Sequence, residues 1–174
     1  MNTAKKNASR IRFTVYAALI AALYVALTYV AFWLGLDKNA IQLRFSEALC
    51  VLACFTPAAI PGMTVGCLLA NLLTGAHILD VIFGSLATLV GVLGGYAMRS
   101  FAGRKWLCFL PTLPTVLANA VVVPLLLTYV YGAEGAYPFF VLTVTLGELL
   151  SASLLGTLLL LALKRHGAHL FNPV

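Results

Sequence analysis

Long apolar runs alternate with short polar segments along the whole chain. A membrane-spanning helix needs roughly 17–25 mostly apolar residues, and the runs come close to that length. The pattern predicts six transmembrane helices, with approximate bounds 12–36, 45–59, 61–77, 79–98, 107–131 and 137–163. The second and third runs are short, and Pro57, Pro61 and Gly62 predict a tight turn between them.

The composition supports this interpretation. Hydrophobic residues make up 62% of the chain and charged residues 9%, whereas soluble domains carry about 25% charged residues. No Pro/Ser-rich linker divides residues 1–174, so we predict a single integral membrane domain of the all-α class. The four cysteines lie in or beside apolar runs and have no zinc-ligand spacing, so no metal site is predicted: Cys50, Cys54, Cys67 and Cys108.

The basic residues predict the orientation. Nine of the eleven fall before the first helix, between the fourth and fifth helices, or after the sixth: Lys5, Lys6, Arg10, Arg12, Arg99, Arg104, Lys105, Lys164 and Arg165. With six spans, these clusters share one side, which the positive-inside rule makes cytoplasmic, together with both termini. The net charge of +6 therefore reflects orientation and not a nucleic-acid partner.

The acidic residues show the opposite distribution. All five are expected in the outer half of the bundle: Asp37, Glu47, Asp80, Glu134 and Glu148. A charge inside a bilayer costs about 2.5–3.5 kcal/mol on insertion scales, so a buried carboxylate there is a candidate functional group. Amides and one guanidinium are predicted at the same depth, namely Gln42, Arg44, Asn71 and Asn119. The sequence therefore predicts an outward-facing pocket for a ligand rich in hydrogen-bond donors.

Each candidate also has a structural interpretation. Arg44 and Glu47 could pair with each other, because they lie three residues apart at a helix start. Asn71 and Asn119 could bridge helices. Asp80 could cap the fourth helix. Glu148, about three turns inside the sixth helix, is the hardest to explain in this way.

Several motifs of catalysis are absent from the sequence. It has no phosphate-binding loop, no His-Glu-x-x-His zinc motif and no Gly-x-Ser-x-Gly nucleophile elbow. We therefore do not expect an enzyme. An intramembrane enzyme using Glu148 and His77 and a ligand-free membrane adaptor remain the alternatives of other classes.

A family resemblance rests on three segments. They are Ile41–Leu49 (IQLRFSEAL), then Ile60–Gly62 with Gly66–Leu72 (GCLLANL), and Asp80–Leu89 (DVIFGSLATL). Together these segments resemble the QueT family, the substrate-binding S components of energy-coupling factor (ECF) transporters for queuosine precursors. The resemblance covers most of the chain and is most specific between Gln42 and Leu89.

The resemblance implies a function and partners. Such a protein, in a bacterial plasma membrane, binds a 7-deazaguanine such as preQ1, preQ0 or queuine from outside. It releases the ligand inward with a transmembrane scaffold (T) subunit and two cytoplasmic ATPases, so it needs no cofactor and only its partners use ATP. A small-residue face on the first helix is expected to contact the scaffold, and two pairs fit, Ala17/Ala21 and Ala18/Ala22.

The chemistry of a 7-deazaguanine suits the predicted pocket. Its ring N–H and exocyclic amine can both donate to one carboxylate, for which Glu47, Asp80 and Glu148 are candidates. Gln42, Asn71 and Asn119 would contact the remaining edge, and Arg44 would donate to the ring carbonyl or hold a carboxylate in place. Phe45, Phe83 or a tyrosine would stack on the base. The nearest alternative is the same architecture for another small heterocyclic vitamin.

Overall fold

The computed structural model describes residues 3–36 and 42–166, and the side chains of residues 6–36 and 42–165. Every regular element within these ranges is a helix. The α-helices are α1 (Thr3–Trp33), α2 (Ala59–Leu73), α3 (Ile78–Ala97), α4 (Leu113–Tyr129), α5 (Tyr137–Glu148) and α6 (Gly156–His166). A central 3₁₀ helix (Phe45–Cys54) lies between α1 and α2, and a π-helical segment (Leu149–Leu155) joins α5 to α6. Short 3₁₀ helices, Arg99–Gly103 and Leu110–Thr112, precede α4.

Four helical segments are long and apolar enough to cross a membrane. They are Lys6–Trp33, Ile78–Ala97, Leu110–Tyr129 and Tyr137–Arg165. The predicted second and third helices correspond to the shorter apolar helices Phe45–Cys54 and Ala59–Leu73. Large apolar side chains cover the outer surface, among them Leu19, Val90, Leu117 and Leu158. Such a surface is suited to lipid, and the chain is a multi-pass membrane protein.

The second predicted helix differs from the sequence-based expectation. We predicted a helix over 45–59, and the structure has a 3₁₀ helix that ends at Cys54. Thr56 precedes Pro57, and a residue before proline is disfavoured in the α conformation, so the helix cannot continue. A 3₁₀ helix rises about 2 Å per residue, so these ten residues extend about 20 Å. The central 3₁₀ helix thereby carries Glu47 at one end and Cys54 well towards the other.

Glycines bring α1 and α2 together in parallel. A Cβ at Gly62 would lie 2.8 Å from the Ala17 carbonyl oxygen, and a Cβ at Gly66 would lie 2.7 Å from the Tyr24 Cβ. Further along, the Tyr29 hydroxyl donates to the Leu73 carbonyl oxygen at 3.0 Å. Only glycine permits these approaches, and they fix the register of α1 on α2.

This packing separates the two alanine pairs of α1. Ala21 is 7% exposed, and both Ala17 and Ala21 contact the glycines of α2. Ala18 and Ala22 are exposed on another face of the helix. The first pair is therefore used within the chain, and only the second pair is accessible to a partner.

The basic clusters lie at one end of the bundle. The Lys164 ammonium donates to the Ala102 carbonyl oxygen, which joins the end of α6 to the connection between α3 and α4. Because α1 and α2 run parallel and α3 returns antiparallel to α2, the N-terminal part of α1 lies at this end as well. The opposite end holds the end of α1, the start of the central 3₁₀ helix, the start of α3 and the end of α4.

Candidate functional site

A cavity of about 590 Å³ lies at this opposite end, within the range of about 300–1,000 Å³ typical of small-molecule sites. Its polar lining comes from Tyr24, Thr28, Gln42, Arg44, Ser46, Asn71, Thr74, Asp80 and Tyr131. The other lining residues are Ala31, Phe32, Gly75, Ala76, Val123, Leu126 and Leu127. One apolar wall, from α4, thus faces a cavity that is otherwise rich in donors and acceptors.

Among the described residues, Asp80 is the carboxylate that lines this cavity. It lies in the first turn of α3, where the helix dipole favours a negative charge, and it is 8% exposed. Its Oδ2 accepts from the Tyr131 hydroxyl at 2.8 Å, whereas its Oδ1 has no hydrogen-bond partner among the described residues. The predicted capping role is wrong, because His77 is the N-cap and its Nδ1 accepts from the Leu79 N–H. Asp80 therefore lines the cavity with one buried oxygen that has no donor among the described residues.

Tyr131 links the loop after α4 to the loop before α3. Its hydroxyl accepts from the His77 backbone N–H at 3.1 Å and donates to Asp80. Partial burial raises the pKa of Tyr131, and the Asp80 carboxylate raises it further, so the hydroxyl stays protonated near neutral pH. This donor orients the Asp80 carboxylate without neutralising it.

Arg44 supplies the positive charge of the cavity. Burial disfavours the charged guanidinium, but the carboxylates of Asp80 and Glu148 outweigh this effect and raise the pKa of Arg44. Its backbone N–H donates to the Ser151 Oγ at 3.0 Å, at the start of the central 3₁₀ helix. Gly147 lies directly against the Gln42 backbone, where a Cβ would clash with the carbonyl oxygen. The end of α5 and the π-helical segment thus hold residues 42–44 in place.

Two further carboxylates form an inner pair beneath the cavity, Glu47 and Glu148. Glu47 is 0% exposed, and its Oε1 accepts from the Tyr24 hydroxyl at 2.5 Å. Glu148 is 4% exposed, and its Oε1 accepts from the Asn119 side-chain amide at 3.0 Å. The Oε2 atoms of both have no hydrogen-bond partner within the described part of the chain. Tyr24 donates to Glu47 and also lines the cavity, so the inner pair adjoins it.

The sequence-predicted residues thus fall into three groups. Gln42, Arg44, Asn71 and Asp80 line the cavity. Glu47, Asn119 and Glu148 lie behind its wall in the buried network. The two phenylalanines proposed for stacking are outside the lining, and Phe83 is 48% exposed on the outer face of α3 while Phe45 is partly buried. Their role in stacking remains a prediction. Asp37 lies outside the described residues, and Glu134 is exposed in a loop.

Sequence reasoning missed part of the lining. Tyr24 and Thr28 lie one turn apart on α1, and Thr28 Oγ1 contacts both the Tyr24 carbonyl oxygen at 2.9 Å and Ser46 Oγ at 3.0 Å. Two polar side chains four residues apart in an apolar run were the available signal. The Val123, Leu126 and Leu127 wall gave no such signal, because it resembles any other lipid-facing or core position.

The polar side chains of the site are a carboxylate, two amides, a guanidinium and several hydroxyls. In the residues that the structure describes, no group of three or more His, Cys, Asp or Glu side chains is arranged to hold a metal ion. The arrangement instead offers carboxylate acceptors, one guanidinium and an apolar wall. Such a set can bind a planar polar heterocycle by its edges while its face packs on α4.

The known proteins that this chain resembles are transporters. The profile of the QueT transporter family matches residues 14–165. A queuosine precursor transporter QueT from Lactococcus lactis subsp. cremoris (strain MG1363) is 41% identical over 76 residues, which are 44% of each chain. The alignment thus spans less than half the length of that relative. No solved structure matches the chain significantly. The family is one of transporters and not of enzymes. With the match extending over most of its length, the chain belongs to the QueT transporter family.

Proposed function

We propose that this chain is the substrate-binding membrane subunit of an ECF-type importer for a queuosine precursor, a 7-deazaguanine such as preQ1, preQ0 or queuine. The observation that carries the proposal is Asp80, a carboxylate that lines a cavity of about 590 Å³ and whose Oδ1 has no hydrogen-bond partner among the described residues. A buried carboxylate oxygen without a donor is unfavourable, and a ligand with adjacent N–H groups provides what it lacks.

The remaining lining fits the same ligand. Asp80 accepts the ring N–H and the exocyclic amine in a two-point contact. Arg44 donates to the ring carbonyl, and Gln42 and Asn71 contact the other polar atoms of the base. Val123 and Leu126 pack on its face. Since the basic clusters lie at the opposite end, the positive-inside rule puts the cavity towards the outside, where a scavenged compound is met.

The proposal includes an external source of energy for uptake. The sequence has no phosphate-binding loop for ATP. We therefore propose that a transmembrane scaffold subunit and two cytoplasmic ATPases complete the importer. The exposed Ala18/Ala22 face of α1 is the proposed contact with the scaffold, because small side chains allow helices in a bilayer to approach closely.

Direct ligand binding tests the proposed function. Detergent-purified protein would be titrated calorimetrically with preQ1, preQ0 and queuine, and with riboflavin, thiamine and biotin as controls. We expect submicromolar binding, about −8 kcal/mol or stronger, for at least one deazaguanine and none for the controls. Binding of a control vitamin alone would support a substrate-binding subunit but contradict a queuosine precursor as its substrate. No binding across the whole panel would contradict the proposal.

A further inference from the structure

The connection between α3 and α4 lies between two membrane-spanning segments. The first of these segments ends at Ala97 and the second begins at Leu110, so residues 98–109 connect them. Each segment has 20 residues, about 30 Å of helix, which matches the hydrocarbon core of a bilayer. The α3–α4 connection is therefore at the level of the lipid headgroups, at the basic end of the bundle.

The α3–α4 connection is folded onto the bundle. Ala102 and Cys108 are buried as part of the hydrophobic core. The Lys164 ammonium donates to the Ala102 carbonyl oxygen, and the Cys108 thiol donates to the Lys105 carbonyl oxygen at 3.4 Å. Because these contacts hold its backbone, the connection presents its remaining side chains in a defined arrangement.

The outward side of the connection combines positive charge with large aromatic side chains. Arg99, Arg104 and Lys105 are exposed, and no acidic residue occurs between positions 98 and 109. Trp106 is 84% exposed and Phe109 is 42% exposed beside them. Cations next to tryptophan are typical of a surface that lies among lipid headgroups.

Two of the guanidinium groups are held against aromatic rings. The guanidinium carbon of Arg99 lies 4.2 Å from the centroid of the Tyr96 ring, and its Nη1 donates to the Tyr96 carbonyl oxygen at 3.0 Å. The guanidinium carbon of Arg104 lies 5.5 Å from the centroid of the Phe101 ring. Such contacts orient a guanidinium without neutralising its charge.

We propose that the outward side of the α3–α4 connection binds the headgroups of anionic phospholipids. Arg104 and Lys105 donate to the phosphate oxygens, and Trp106 packs between the headgroups and the acyl chains. A zwitterionic headgroup is attracted less, because it carries a positive charge of its own. An acidic protein segment would satisfy the cations but would not supply the apolar cover that Trp106 and Phe109 require. The inference concerns the membrane and does not depend on the ligand of the cavity.

Trp106 can report on the lipids around it. The sequence has two tryptophans, so Trp33→Phe leaves Trp106 alone. This variant would be placed in nanodiscs of phosphatidylglycerol and phosphatidylcholine in equal amounts, with brominated acyl chains on one lipid at a time. Bromine quenches indole fluorescence at close range, so quenching measures how much of that lipid is nearby. We expect brominated phosphatidylglycerol to quench at least about 2-fold more strongly, and the preference to disappear at about 1 M salt.

Two pairs of substitutions test whether the preference belongs to the connection. Arg104→Gln with Lys105→Gln should abolish it. Arg10→Gln with Arg12→Gln removes the same charge from exposed positions of α1 at the same end, and should leave most of the preference in place.

Trp33 provides a control at the other end of the bundle. It is 82% exposed at the end of α1, and it is the only tryptophan of the Trp106→Phe variant. The charged residues nearest to it in sequence, Asp37 and Lys38, have opposite signs. We therefore expect the two brominated lipids to quench Trp33 equally.

Three results would overturn the inference. The first is equal quenching of Trp106 by the two lipids. The second is weak quenching by both, because Trp106 would then lie outside the bilayer, on a surface open to a protein partner. The third is an equal loss of preference in the two charge variants, which would assign the attraction to the whole basic end and not to the connection.

Discussion

At the scale of single residues, the site depends on how the Asp80 carboxylate is held. One of its oxygens, Oδ1, has no hydrogen-bond partner among the described residues. Asp80 lies in the first turn of α3, where the helix dipole favours its charge, and its Oδ2 accepts from the Tyr131 hydroxyl. Gly84, one turn later on α3, lies close to the other oxygen, since a Cβ there would be 3.0 Å from Oδ1. A ligand that donates to this carboxylate meets an acceptor that is already held in place.

A second residue-scale effect concerns Gly147. We predict that Gly147→Ala weakens deazaguanine binding by on the order of 10-fold, about 1.4 kcal/mol. The added Cβ would clash with the Gln42 carbonyl oxygen and push residues 42–44, and with them Arg44, out of position. The measurement is calorimetric titration of the variant, with its thermal unfolding midpoint as a check on folding.

Gly103→Ala is the matched control for this substitution. A Cβ at Gly103 meets no atom within 4 Å, and its φ is not in the left-handed region, so the variant should bind like the unmodified protein. If Gly147→Ala bound the ligand as tightly as Gly103→Ala, the positioning of Arg44 by α5 would not matter for affinity.

The residues found from sequence and those missed differ in one physical respect. Gln42, Arg44, Asn71 and Asp80 were predicted because polar groups in an apolar chain are conspicuous at any depth. Val123 lines the cavity through the way α4 packs, which apolar periodicity alone does not reveal. Phe83 shows the same limit, because the sequence does not reveal the rotation of α3 that leaves this side chain 48% exposed.

At the scale of elements, two non-α helices shape the site. The central 3₁₀ helix is packed against the π-helical segment and α6, and a Cβ at Gly156 would lie 3.2 Å from the Ala48 carbonyl oxygen. The hydrophobic pattern predicted one continuous helix over 137–163 and gave no sign of the π-helical turns between Leu149 and Leu155. An α-helix and a 3₁₀ or π-helix bury the same short apolar run, so hydropathy cannot distinguish them.

The exposed face of α1 gives an element-scale prediction. Ala22→Leu should abolish co-purification of the chain with its proposed scaffold subunit and ATPases, because the larger side chain prevents close helix approach. Deazaguanine binding should persist, since Ala22 does not line the cavity. The measurement is the yield of partner subunits recovered with affinity-tagged protein from membranes.

Ala97→Leu provides the comparison, because Ala97 is likewise an exposed alanine but lies on a different helix, at the end of α3. Its co-purification should match that of the unmodified protein. Full recovery of partners with Ala22→Leu would show that the scaffold docks elsewhere.

At the scale of the whole molecule, charge is segregated between the two ends of the bundle. The basic clusters gather where α6 meets the connection before α4, and the cavity with its carboxylates lies at the other end. The sequence predicted this segregation correctly, because the order of apolar runs alone determines which loops share a side. It predicted six spans, whereas two of the corresponding helices, Phe45–Cys54 and Ala59–Leu73, are shorter than the four long apolar helices. The apolar pattern of a run bounded by prolines does not show where its helix begins and ends.

The central claim is that Asp80 receives the ligand, and one comparison of affinities tests it most directly. The deazaguanine that binds the unmodified protein most tightly would be titrated into Asp80→Asn and, as a matched control, Glu134→Gln. Loss of the carboxylate removes a charge-assisted two-point contact and presents an amide N–H₂ to the donors of the base, so we predict a loss of at least about 100-fold, or 2.7 kcal/mol. Glu134→Gln should bind normally, since Glu134 is exposed in its loop. Equal affinity of a folded Asp80→Asn protein would contradict the account.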